Sequence, residues 1–567
     1  MPHSQNLTAA PRRRRAAAVA TFALLAGHVL AGAQPLPLPP GAPEAATGAI
    51  TAATMRGPLA FLAHDLLEGR GPATRGDALA RLYIASAFAS MGLEAGSEGT
   101  YEQAFDIVGI KAQPPERWTF KAGGQELGLA WSDEYIAGSG VQAETAVVPD
   151  TELVFVGYGI QAPEYQWDDF KGMDLQGKVL VMLNNDPDWD PKLFEGPRRL
   201  YYGRWTYKYE SAARQGAAGA IIVHTEPSAG YPWQVVQTSW SGEQFELPAE
   251  SEPRLQIKAW ATEEASRKLA ALGGHDLAKL VADARQPSFK PVPLGVRTSI
   301  TLENKISRVQ TANVLGLVRG RDPQLKDEVV VVTAHHDHLG IGKPNASGDA
   351  IYNGALDNAS GVAQILAIAK AFAALPERPR RSVLFAAVAA EEQGLLGSQY
   401  YARHPTFPAG RIAANVNFDA GNKWGRTKDI TFLGYGKSAD LDRIVDAAAA
   451  LQSRVVKGDQ HPDRGYFYRS DQFNFAKIGV PAVYLDGGTE YLAPPPGGQD
   501  PLDVYTRQDY HQPSDEYDAS WNFEGLIEDA QVGFYVALAI AERDSMPAWN
   551  PGDEFEGARK KALAEGK

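Results

Sequence analysis

The sequence predicts an α/β fold: a mixed, mainly parallel sheet flanked by helices, with a smaller β-rich or α/β domain inserted into it. Three observations predict this. Apolar runs of four to eight residues recur at 314–318, 329–333, 383–388 and 412–418, the length and composition of strands buried on both faces. Helical stretches at 361–375 and 441–451 separate several of these runs, and strands alternating with helices build sheets covered on both sides. A different texture, with short strands around one Ala-rich helix, fills residues 139–298.

In chain order, the cluster Arg12 to Arg15 precedes an apolar stretch at 16–30 and then Ala31-Gly32-Ala33. Basic, apolar and small-residue segments in that order read as a signal peptide over 1–33, so the protein is expected to be exported, periplasmic or secreted. A run of roughly fifteen apolar residues falls short of the ~20 that span a bilayer. The arginines also suit a twin-arginine signal, and the export route stays open. Gln34 opens the proline-rich QPLPLPPGAP, read as an extended spacer over 34–49, with the folded part starting near Ile50. A helical pattern from 59 to 93 breaks at Glu68-Gly69-Arg70-Gly71-Pro72, and Gly92 sits where a C-terminal cap belongs. The main domain is expected at 50–138 and 299–545, split by the insert at 139–298. Within the insert, 153–157, 179–183 and 220–223 read as strands, 209–219 as a helix and 184–202 as a surface loop. An amphipathic helix at 523–542 closes the fold, leaving 546–567 as a polar tail.

Composition narrows the function. The chain has 567 residues, enough for two or three domains, and no cysteine. Disulfide frameworks, cysteine-ligated zinc, iron–sulfur clusters and thiol nucleophiles are therefore excluded, and any metal site uses His, Asp and Glu. The formal charge of −13 argues against a nucleic-acid binder.

Sites in open α/β sheets form beyond the carboxyl ends of strands. There the chemistry-bearing residues cluster. The run at 329–333 exits into Ala334-His335-His336-Asp337-His338. Period-two alternation puts His335 and Asp337 on one side and His336 on the other, which suggests His335 as a metal ligand and Asp337 as the carboxylate that orients its imidazole. Asp357 lies in NGALDNASG (353–361) directly before a helix, either as a ligand or as an N-cap. The run at 383–388 leads to Glu391-Glu392, adjacent acids that repel unless a cation sits between them. Asp419 follows the run at 412–418, and His511 sits in a proline-containing loop before the closing helix. Two His and three carboxylates, with one spare carboxylate, are the inventory of two zinc ions bridged by one acid.

These residues resemble the co-catalytic zinc aminopeptidases of metallopeptidase family twenty-eight, which also holds glutamate carboxypeptidases and glutaminyl cyclases. The resemblance rests on HHDHLG (335–340), NGALDNASGVA (353–363), AAEEQGLLGS (389–398), NFDAG (417–421) and YHQPSDEYD (510–518), with LLEGRGPATRG (66–76) similar to the family's amino-terminal stretch. It implies a zinc-exopeptidase fold and two Zn²⁺ per chain, with Asp357 bridging, His335 and Asp419 on one ion, and Glu392 and His511 on the other. It further implies Glu391 as general base to a metal-bridging water and Tyr510 as donor to the oxyanion, with Tyr466 and Tyr468 as competitors. GKVLV (177–181) and KYESAARQGAAGA (208–220) are similar to the protease-associated domain found within such peptidases. The expected partners are peptide substrates, without nucleic acid and without a membrane once the leader is removed; no oligomeric state follows from the sequence. Two positions depart from the family's pattern: His336 replaces an aromatic residue and Gln472 a histidine.

An exported aminopeptidase is thus the first reading. Carboxypeptidase or dipeptidase action needs a cation aimed at a substrate carboxylate, for which Arg464 and Arg469 are placed in a suitable loop. Glutaminyl cyclisation uses one zinc, whereas every ligand position here is filled. A non-catalytic binding or receptor module is expected to have lost ligands or the base, and this chain has lost neither.

Overall fold

The computed structural model describes residues 36, 38–493 and 498–566. The expected leader over 1–33 lies outside the described residues. Among the described residues no helix is long and apolar enough to cross a membrane.

The main sheet is mixed and mainly parallel. Strand Val329–His335 runs parallel to Ser382–Val388 on one side and Ile412–Phe418 on the other, and Ile412–Phe418 continues parallel to Ala482–Asp486. Antiparallel strands extend both sides: residues 314–318 against Ser382–Val388, and Asp429–Phe432 against Ala482–Asp486. VVVVTAH, SVLFAAV and IAANVNF are buried at every position, because helices cover both faces. Ser360–Ala373 and the 20-residue Phe523–Glu542 supply most of one cover, joined by Ala42–Ala49, Ala52–Leu62 and Arg75–Ser90.

An extended spacer is expected over 34–49, but residues 42–49 differ from it. Ala42–Ala49 is a helix with proline in its first turn, where the missing N–H costs nothing. Its Ala42, Ala45, Ala46 and Ala49 repeat at helical spacing and are buried against the core. Alanine carries too little hydrophobic signal for that face to stand out. The tail at 546–567 also packs: Glu556–Glu565 is helical, and the buried Arg559 donates to the carbonyls of Ala409 and Ile412.

The inserted region has its own sheet. Tyr135–Ser139 pairs antiparallel with Ile257–Thr262, followed by Gly219–His224, Val179–Leu183 and Thr145–Phe155 in parallel. Thr145–Phe155 then meets the first half of Val292–Val318, a 27-residue strand whose second half belongs to the main sheet. The expected boundary at 298/299 therefore falls inside one continuous strand, which also pairs with Glu102–Gln113. Alternating burial across its first half marks one face open to solvent, and continuous burial from Thr311 onward marks entry into the core. The 184–202 segment is not a surface loop throughout. Phe194 is buried, stacked on Tyr165 and edge-on to Trp167 and Tyr202, and Asp186 and Arg199 are buried with it.

Candidate metal centre

Parallel pairing brings the ends of Val329–His335, Ser382–Val388 and Ile412–Phe418 to one edge of the sheet. His335 is the last residue of its strand, Glu391 and Glu392 come just after theirs, and Asp419 directly follows the third. Asp357 and His511 arrive on loops.

Asp357 lies at the centre. Its Oδ1 is 3.2 Å from His335 Nε2 and its Oδ2 is 3.2 Å from His511 Nε2. Asp419 Oδ1 is 3.1 Å from His335 Nε2, and Glu392 Oε2 is 3.0 Å from His511 Nε2. Glu391 Oε2 is set further back, 3.9 Å from His335 Nε2. The N-cap alternative for Asp357 falls away, since the neighbouring Asn358 accepts from the Gly361 N–H at the helix start. Asn358 also accepts from the Ala420 N–H and donates to the Phe418 carbonyl, joining the loop to the third strand. Gly354 has φ +55°, and a Cβ there would lie 2.2 Å from the Asp357 carbonyl oxygen and 2.4 Å from His338 Cγ, so only glycine lets this loop pass.

The donor set fits metal. His511 Nε2 is buried between two carboxylates yet makes no hydrogen bond of acceptable geometry to either, as expected of a lone pair aimed at a cation. Ligand atoms of His335, Asp357 and Glu392 all lie within 4.8 Å of one another. Imidazole and carboxylate without thiolate suit zinc and also other divalent ions.

The electrostatics separate the adjacent glutamates. Burial pushes the Glu391 carboxyl well above the usual range, against the pull of His335 and with the repulsion of Asp419 and Glu392. Burial and the Asp357 charge act the same way on Glu392, but His511 and His338 outweigh them and bring it down to about 2. Asp357 is likewise held well below the ordinary range, burial being overcome by His335 and His511. Environments that drive two neighbouring acids apart are how one site obtains both a ligand and a base.

The second ring of contacts was only partly visible in the sequence. The Asp337 carboxylate accepts from the backbone N–H groups of Glu391 and Glu392 at 3.0 and 3.3 Å. Its Oδ1 is 3.7 Å from His335 Nδ1, which sits nearer the Asp337 carbonyl at 3.3 Å. Its carboxylate thus positions the glutamate loop as much as the imidazole. His336 points away, as alternation predicts, to Asp77 at 2.9 Å. His338, given no role above, has Nδ1 2.7 Å from Glu392 Oε1. Asp515 accepts from the N–H groups of Leu356 and Asp357. Gln472 accepts from Asn417 and lies behind the strands. Ser239 Oγ, from the inserted region, is 2.7 Å from His511 Nδ1; nothing at position 239 signals this in the sequence. Tyr510 packs on His511, ring centroids 3.9 Å apart, and lines the same cavity as Glu391, Glu392 and His511. Of its competitors, Tyr468 donates to Glu554, and Tyr466 accepts from Arg464 and packs against Arg469; neither lines that cavity.

Arg70 joins the early helices to this centre. Its buried guanidinium donates to the carbonyls of His336, Leu62, Asn353 and Gly354, and burial lowers its pKa to about 10. Arg70→Met leaves those acceptors unpaired. The expected result is a lowered denaturation midpoint at unchanged slope, equivalent to a loss of about 3 kcal/mol or more, read by urea unfolding.

Residues 313–534 match the model of peptidase family M28. A probable zinc metalloprotease of Pyricularia oryzae is 34% identical over 166 residues, 29% of this chain and 29% of its own length. Aminopeptidase NAALADL1 of Mus musculus is 32% identical over 120 residues, 20% of this chain and 14% of its own. The chain thus spans less than a third of the length of these curated relatives. Among solved structures, an aminopeptidase from Aneurinibacillus sp. strain AM-1 shares the fold with TM-score 0.54 at 20% identity, over 90% of this chain and 98% of that one. The matched segment includes all five proposed ligands and Glu391, and the match bears out the resemblance carried by the motifs.

Proposed function

We propose that the protein is an exported zinc-dependent aminopeptidase that removes the amino-terminal residue of peptides. The observation that carries this reading is Asp357, whose two oxygens each face a different imidazole, as a carboxylate shared by two cations requires. His335 and Asp419 would hold one zinc, Glu392 and His511 the other. Bound zinc supplies Lewis acidity and eases the ionisation of water at neutral pH.

The chain's own residues supply the rest. Glu391, kept out of the ligand pairs, takes the proton of a water that adds to the scissile carbonyl carbon. It returns that proton to the leaving amine as the C–N bond breaks. Tyr510, on the cavity wall beside it, donates to the oxygen that gains negative charge. Asp337 fixes the backbone that carries Glu391. The concentration of carboxylates around the centre favours a substrate α-ammonium group, which supports cleavage at the amino end. A membrane-free, exported location rests on the leader-like segment over 1–33. The inserted region borders the cavity and contributes Ser239 behind His511, which supports a covering role for the expected protease-associated domain.

The test is hydrolysis of leucyl anilide by zinc-loaded protein, with and without a chelator. Cleavage that a chelator abolishes and zinc restores is expected, together with loss of cleavage when the amine is acetylated. Equal cleavage of the amino-blocked substrate would refute aminopeptidase action, and activity indifferent to chelation would refute the zinc assignment.

A further inference from the structure

A cavity of about 650 Å³ lies between the inserted region and the metal centre, with Glu391, Glu392, Tyr510 and His511 on one wall. Arg204 and Arg469 also line it. Other cations on this lining are paired: Arg214 with Glu210, Arg254 and Lys258 with Glu246, and Arg403 with Glu250. Arg204 and Arg469 make no ion pair among the described residues. Arg204 Nε and Arg469 Nη1 are fully buried and have no hydrogen-bond partner. Their surroundings hold them in place through aromatic rings: Arg204 stands 5.5 Å from the Trp205 ring, and Arg469 lies 5.1 Å from both Tyr231 and Tyr466.

The two guanidiniums are held differently: burial opposes the Arg469 charge but Tyr510, Tyr466 and Tyr231 outweigh it and raise its pKa above the ordinary value. Burial first, and then the like charge of Arg469, pull the Arg204 pKa down to about 10. Buried donors left unpaired cost free energy that a bound acceptor recovers. Arg204 also stands at the start of helix Trp205–Arg214, which has no side-chain cap, and the positive end of the helix adds to its charge. The cavity lining therefore carries both the carboxylates of the metal centre and a pair of arginines outside any ion pair, groups that suit a substrate with a free amine and a carboxylate.

We propose that Arg204 and Arg469 form a carboxylate-recognition subsite that selects substrates carrying a carboxylate close to the scissile bond. This rests on the peptidase reading and specifies its substrate class. The carboxylate has two sources, an acidic side chain at the cleaved residue or the terminal carboxylate of a dipeptide. Guanidinium forks bind either in bidentate fashion. Arg464, the other arginine considered from sequence, is paired with Asp503 and is not part of the subsite.

Matched substrate pairs test this on the full-length, zinc-loaded protein: glutamyl against glutaminyl anilide, and leucyl-glycine against leucyl-glycinamide. In at least one pair the carboxylate member is expected to have kcat/KM about tenfold higher or more. Arg204→Gln and Arg469→Gln should each collapse that ratio, and the Lys variants should keep part of it. An advantage in the first pair assigns the subsite to an acidic side chain, and an advantage in the second assigns it to the terminal carboxylate. Ratios near one in both pairs, from protein that cleaves leucyl anilide, overturn the subsite and leave the peptidase reading intact. Calorimetric titration with N-acetylglutamate and N-acetylglutamine reads the subsite without turnover. Tighter binding of the acid, lost in both Gln variants, supports it, and equal binding overturns it even if no peptide is cleaved.

Discussion

Asp357→Ala is expected to empty both proposed metal positions together. Each neighbouring imidazole loses the carboxylate oxygen that faces it at 3.2 Å, so neither His335 with Asp419 nor Glu392 with His511 retains a complete donor set. The remaining acids then repel one another without compensation. Elemental analysis after gel filtration should find less than one zinc per chain, against two in the parent. Peptide hydrolysis should fall by about 10³-fold or more, since several kcal/mol of transition-state stabilisation depend on the ions. Two zincs retained by this variant would refute the bridging role. Loss of one ion alone would show that the oxygens do not serve both.

Glu391→Ala separates chemistry from metal binding. Its carboxylate lies 3.9 Å from His335 Nε2, outside the ligand contacts of 3.0 to 3.2 Å. The variant is therefore expected to keep two zincs and the KM of the parent within a few-fold, while kcat falls by about 10² to 10⁴, the range for a positioned acid–base group. Removing a buried carboxylate whose ionisation is opposed by burial and by Asp419 should not destabilise the fold. A variant with normal zinc content and normal kcat would remove the general-base assignment; one that loses zinc would make Glu391 a ligand instead.

The candidate ligands are legible in the sequence because each lies directly after an apolar run or in a short loop rich in glycine or proline. Parallel strands bring such positions to a common edge. His335, Glu392 and Asp419 follow from that rule alone. Asp357 did not: next to a helix start, an acid reads equally well as a cap, and only the structure shows that the Asn358 side chain, not Asp357, accepts from the Gly361 N–H. The partners behind the ligands were not legible either. Asp337 was singled out beside His335, yet its carboxylate also anchors a loop more than fifty residues away in sequence, holding the Glu391 and Glu392 backbone. Arg70, Asp515 and Ser239 reach the centre from distant segments, and no local pattern marks a residue whose role is to meet a remote carbonyl, N–H or imidazole.

The division of the chain shows the same limit. Short strand runs in the insert were readable, but the first half of Val292–Val318 alternates like a surface strand, so its continuity with the buried second half was hidden by the change of period. Ala42–Ala49 was hidden by proline and by the weak hydrophobicity of alanine.

By itself, the sequence determined the α/β alternation, the excluded cysteine chemistries and a set of five metal-ligand candidates and one candidate base, because period and residue chemistry are local properties. The tertiary structure alone decided which acid stands between two imidazoles, which glutamate is set back from them, and that two arginines without an ion pair among the described residues face the same cavity. Those are consequences of distance, burial and competing partners, which arise only when segments far apart in the chain meet in space.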